Sequence, residues 1–200
     1  MVNGKLKVEN VSSKYHEAYN AIRKLKETFT CVGERFPPFL VGLCGELLVK
    51  MKLAEKGISF KSKGGQGGYD IRLENGKKIE VRSSLLKNEG LYPKDVRFFG
   101  WRIKKRGKEV GFDYLLCVAF DDDLANPKIY LFTKEEALKA GDVEIPRFKG
   151  VQKKLHLFRS HQEMEKAVRY NPRIVSNWEV EVNKLKHEFE FEKRWEILKV

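Results

Sequence analysis

The chain has 200 residues, 42% of them apolar, which suffices for one packed domain and excludes a disordered chain. Forty Lys and Arg against 28 Asp and Glu leave a net charge of +12, which favours a polyanionic partner, nucleic acid first, over a merely lysine-rich soluble protein. No run of about 18 apolar residues is present and MVNGKLKVEN lacks the apolar core of a secretion signal, so no membrane span and a cytoplasmic location are expected.

Taken in chain order, residues 13–29 place Tyr15, Tyr19, Ile22, Leu25 and Phe29 at helical spacing. A second helix is expected from Pro37-Pro38 to about Lys56, with Gly57 as its stop. The period then changes to two. Ile58–Phe60 begins a strand, the glycine-rich GGQGG interrupts, and residues 69–73 and 78–83 read as a hairpin around Asn75-Gly76. VRFFGWRI (96–103) reads as a strand or an aromatic-rich arm, DYLLCVAF (113–120) as a strand covered on both faces, and KIYLF (128–132) as its neighbour. Thr133 with Glu136, and Ser160 with Glu163, are capping boxes for helices ending near Gly141 and at residue 170. A short β pair and a mostly helical tail over 178–198 complete the order. The expectation is a single α/β domain over 1–200, a central mixed sheet flanked by helices.

The hairpin carries the chemistry. Ile71 and Leu73 share one face of the first strand, Asp70 and Arg72 the other; on the return strand Ile79 and Val81 oppose Lys78, Glu80 and Arg82. Burying both apolar sets together requires a three-residue loop, Glu74-Asn75-Gly76, with Gly76 left-handed, and this pairs Ile71 with Ile79. The same register sets Asp70 opposite Glu80, with Cβ atoms about 4.5–5.5 Å apart. Two carboxylates so placed call for a cation. It is either a divalent metal, Mg²⁺ or Mn²⁺, or the cationic groups of Arg72, Lys78 and Arg82 on an ordinary solvated face.

An acid on an early helix (Glu46), then Tyr69-Asp70 before a strand, then Glu80-Val81-Arg82 on the next strand, resembles the PD-(D/E)XK nuclease superfamily, the restriction-endonuclease-like fold. The resemblance covers a core of about residues 38–140, on which helix 13–29 and the helices of 161–199 would pack. It implies a metal-dependent DNA endonuclease in which Asp70, Glu80 and the Val81 carbonyl bind Mg²⁺ (or Mn²⁺), with Glu46 completing the shell. Many members act as dimers, so the resemblance leaves room for a homodimer. Tyr69 stands where the family has proline and Arg82 where it has lysine. Arginine stays protonated, so Arg82 stabilises charge but accepts no proton, and Lys78 is the alternative cation for the phosphate. Glu46 alternatively pairs with Lys50 at i,i+4. The alternatives for the whole are a non-catalytic nucleic-acid-binding module on the same fold, or a structural or assembly protein with a charged hairpin face.

Further along, Phe98, Phe99 and Trp101 interleave with Arg102, Lys104, Lys105, Arg106 and Lys108, either as core aromatics or as a stacking surface. The basic cluster itself suits phosphate contact, and Arg147, Lys149, Lys153 and Lys154 extend the track. GGQGG is no P-loop, since no Lys-Ser/Thr follows. The histidines match no zinc motif and are expected to be structural, Asp121–Asp123 reads as an acidic turn, and Cys44 and Cys117 as inert core thiols.

Overall fold

Two long helices lead into the sheet. In the computed structural model, which describes residues 2–62, 68–88, 90–105, 109–145 and 150–200, α1 spans Val2–Cys31 and α2 spans Pro38–Glu55. Helix α1 starts well before residue 13, where the apolar spacing begins, because extending an existing helix is far easier than nucleating one. Helix α2 carries proline in its first turn and stops before Gly57, whose φ of +68° favours glycine.

The strands are β1 (Phe60–Ser62), β2 (Ile71–Leu73), β3 (Lys78–Leu85), β4 (Phe98–Lys105), β5 (Tyr114–Phe120), β6 (Lys128–Thr133), β7 (Gly141–Ile145) and β8 (Gly150–Phe158). Five of them form a mixed sheet in the order β1-β2-β3-β5-β6, in which only β3 and β5 run parallel. Helices α1 and α2 cover one face, burying Cys44, Leu48, Ile71, Ile79, Val81 and Val118 in one cluster. The expected α/β architecture, a central mixed sheet flanked by helices, is the one observed.

A second sheet, β4-β8-β7, packs on the opposite face. Both edges of β5 are already taken by β3 and β6, so β4 stacks over the mixed sheet: the Trp101 indole donates to the Val118 carbonyl and the Gly100 N–H to Ser84 Oγ. The short β pair is β7 with β8. Between the sheets lie Trp101, Ile103, Leu115, Cys117, Phe132 and Leu155.

Three capping boxes, at Thr133, Ser160 and Ser176, open α3 (Lys134–Ala137), α4 (His161–Tyr170) and α5 (Asn177–Lys184). The tail continues through α6 (Phe191–Arg194) between short 3-10 turns. Helix α5 also finishes β8. Beyond Lys154 that strand has no β7 partner, and the N–H groups of His156 and Phe158 donate to Glu179 and Asn183 instead. No helix among the described residues is long and apolar enough to cross a membrane.

Candidate active site

The hairpin turns through the three residues expected. Leu73 N–H donates to the Lys77 carbonyl, Gly76 N–H to that of Leu73, Gly76 has φ +85°, and Ile71 pairs with Ile79. The regular ladder between β2 and β3 ends there. Asp70 N–H donates to the Ile79 carbonyl at 2.9 Å, and one step on the Val81 N–H donates to Asp70 Oδ2 at 2.8 Å. The Asp70 side chain therefore continues the ladder where the β2 backbone leaves it. Strand alternation turns the Val81 carbonyl to that same open edge.

Glu80 corrects the expectation of a solvated charged face. Its residue is only 5% exposed, because the face it shares with Arg82 and Ser84 is the one covered by the second sheet. Burial pushes its carboxyl up to about 7; the contacting Arg82 guanidinium works against that, while the charges of Asp70 and Glu46 add to it. The three acids of the sequence motif thus act on one another. The Lys78 ammonium lies over the Tyr69 ring, 5.4 Å from its centre.

Of the two readings of Glu46, the pair with Lys50 is the one observed, at 3.2 Å on α2. The Glu46 charge is still felt at Glu80. Gly45 makes this approach feasible. A Cβ there would stand 1.9 Å from Ser83 Oγ and 3.3 Å from Val118 Cγ2, so only glycine lets α2 lie this close to β3. The sequence carried a signal for this contact in the Gly45-Glu46 pair, without its partner on β3.

The basic residues divide. Arg102 pairs with Lys154, Lys104 with Lys153 and Lys105 with Gln152 across β4 and β8, with a bulge between Arg102 and Lys104. Ile103 packs in the cluster that holds Phe112 and Leu115, and Leu115 is the β5 partner of Glu80, so this end of the second sheet lies at the level of the acids. Arg102 is exposed. Lys154 is not the surface cation expected, being 7% exposed, and Lys153 is engaged by Asp142 and the Ala140 carbonyl. Both follow from their place in β8, the middle strand of its sheet. Arg106, Lys108, Arg147, Lys149 and most of GGQGG lie outside the described residues.

The remaining candidates are structural. Phe98 and Trp101 are core, and Phe99 stacks on Trp101 at 6.0 Å. His156 is fully buried against Glu179. Asp122 pairs with Arg97 and Asp123 caps its own turn. Burial pushes the Cys44 thiol up to about 11 and raises that of Cys117 as well, which leaves both protonated and unreactive.

Among the described residues no three His, Cys, Asp or Glu side chains gather to enclose a metal ion. The donors at hand are Asp70, Glu80 and the Val81 carbonyl, with Glu46 further back. That set fits Mg²⁺ or Mn²⁺, which keep several water or phosphate ligands and need only one or two carboxylates. Burial first, and then the charges of Asp70 and Glu46, disfavour the Glu80 carboxylate, a condition a cation would relieve.

No family model matches the chain, and no curated protein does. Among solved structures, the chain is similar to a bacterial homing endonuclease at 17% identity and a TM-score of 0.46, over 82% of this chain and 92% of that one. A likeness of that degree carries no functional weight. The residues define a mixed α/β fold with a buried glutamate, Glu80, and a partly exposed aspartate, Asp70, where β2 leaves β3.

Proposed function

We propose that this chain is a metal-dependent DNA endonuclease of the PD-(D/E)XK kind. The observation that carries the reading is the buried Glu80, beside Asp70 and within the field of Glu46, at the point where β2 leaves β3. Asp70, Glu80 and the Val81 carbonyl hold the ion, and Glu46 tunes the charge of the set. A divalent cation bound there supplies Lewis-acid polarisation of the scissile phosphate and eases ionisation of the attacking water. Arg82, held on Glu80 and partly exposed, offers its remaining donors to the phosphate as negative charge develops. Lys78 is the alternative cation for the phosphate. The exposed Arg102 fits a DNA backbone running past the acids.

Supercoiled plasmid incubated with Mg²⁺ or Mn²⁺ tests this. Nicking is expected, and Asp70→Asn and Glu80→Gln should each abolish it. In the same samples Mn²⁺ should raise the melting temperature of the parent protein and leave that of Asp70→Asn unchanged, a readout independent of turnover. A second reading, DNA binding without cleavage, is favoured by one observation: Arg82 occupies Glu80 and cannot accept a proton. DNA bound at low salt with no nicking in either metal would select it. No binding at all would leave an assembly protein with a charged hairpin.

A further inference from the structure

The two sheets part at the end remote from the acids. On β5, Leu115 pairs with Glu80, and Ala119 stands about 13 Å further along the strand. At that end a cavity of about 150 Å³ opens between β5, the start of β6 and the last residues of β8. Phe99, Tyr130 and Leu157 line it, and Lys128, Arg159 and Lys186 converge on it. Each cation is held by a neighbour and keeps N–H groups to give. Lys186 donates to the Phe158 and Arg159 carbonyls, both at 3.1 Å, which leaves one ammonium N–H; it has no carboxylate partner among the described residues. Arg159 gives Nε and Nη2 to Glu163, leaving Nη1. Lys128 stands a loose 3.9 Å from Glu190. Burial, and then the charge of Lys128, lower the Lys186 ammonium from its ordinary range. The Tyr130 hydroxyl is the remaining donor. The residue is 3% exposed and its ring sits 6.3 Å from that of Trp101, yet the hydroxyl bonds to none of the described residues. A buried tyrosine hydroxyl ordinarily has a partner, and the cavity this one lines is the place for it.

We propose that this cavity is a phosphate site and that its ligand is inorganic phosphate or a small phosphate monoester, whose oxygens accept from Lys186, Arg159 Nη1, Lys128 and the Tyr130 hydroxyl. The inference goes beyond the nuclease reading and does not rest on it. Donors converging from separate elements need acceptors that point several ways. A phosphate supplies three strongly accepting oxygens and about two negative charges, whereas a carboxylate has its oxygens in one plane. Two features favour a small ligand over a DNA backbone. The cavity admits a single group between two sheets, not a duplex. Asp121, also on its lining, repels a run of phosphates and is placed to accept from a hydroxyl of the ligand.

Inorganic phosphate and phenyl phosphate are titrated against the full chain at constant ionic strength, with line broadening in the phosphorus NMR spectrum as the readout. Saturable binding that chloride does not mimic is expected, and whichever of the two binds tighter identifies the source of the phosphate. Tyr130→Phe keeps the ring and should weaken binding by about 10- to 150-fold, the range for one hydrogen bond to a charged group. Lys186→Met should weaken it at least as much. In chloride the melting temperature of Tyr130→Phe should match the parent's, since the hydroxyl has no described protein partner to lose. Equal binding by the parent and both variants would place the phosphate elsewhere, and no binding by the parent would leave the cavity to water; either result overturns the proposal. If a short duplex displaces the phosphate and itself loses affinity in Tyr130→Phe, the cavity takes DNA and the small-ligand site is wrong.

Discussion

Two glutamates are buried in this molecule, and they are buried differently. Glu179 is 0% exposed, yet its carboxylate accepts from the N–H groups of Gly141, His156 and Ser176 and from the Ser176 hydroxyl. Glu80 is 5% exposed and has Arg82 on one oxygen, with two further acids acting on it. The first is a finished structural joint that ties α5 to β8 and to the start of β7. The second is disfavoured as a charge chiefly by its burial, which Arg82 opposes and Asp70 and Glu46 reinforce. Burial alone therefore does not mark a functional acid; burial without sufficient donors does.

The comparison can be broken at several points. The largest effect belongs to the finished joint. Glu179→Ala strips partners from three backbone N–H groups at once, and equilibrium unfolding in urea should show a loss of about 3–5 kcal/mol, with DNA affinity per folded molecule unchanged. Glu80→Gln should do the opposite in EDTA. The folded protein holds the Glu80 proton more tightly than the unfolded chain, its carboxyl lying near 7 against an ordinary 4.5. The group thus leaves stability intact at low pH, and stability falls as pH rises from 4.5 through 7. At pH 8 the uncharged amide should add about 1–3 kcal/mol, and the gain should vanish near pH 4.

Gly45→Ala comes next, at about 1–3 kcal/mol of destabilisation, since the added methyl meets Ser83 and Val118. Removing the hydroxyl in Gly45→Ala/Ser83→Ala should restore part of that loss, and a double-mutant cycle measures how much. The smallest change in stability is expected for Glu46→Gln, about 0.5 kcal/mol, because the amide keeps an oxygen for its half-buried i,i+4 partner Lys50. Mn²⁺ affinity in the same variant should nevertheless fall, which separates its two roles.

Much of this contrast was legible before any coordinates. The clash between apolar and charged residues across a two-residue turn fixed the hairpin register, with Ile71 opposite Ile79. The capping boxes at Thr133 and Ser160 marked their helices correctly. The second sheet was not legible. β8 alternates Leu155 and Leu157, which face the mixed sheet, with Gln152, Lys154 and His156, so its second face reads as a solvated one, although those three are buried and α5 bonds to His156. Because that sheet was invisible, so was the burial of Glu80, whose face had the alternation of a wet surface. The onset of α1 was hidden for a simpler reason: its first residues carry no apolar period.

A crystal soaked in Mn²⁺ and measured at the manganese edge addresses the central assertion directly. An anomalous peak bridging the side chains of residues 70 and 80, beside the carbonyl of residue 81, is the predicted result. A clean map at that edge of β3, from crystals that take up manganese elsewhere, would contradict the account.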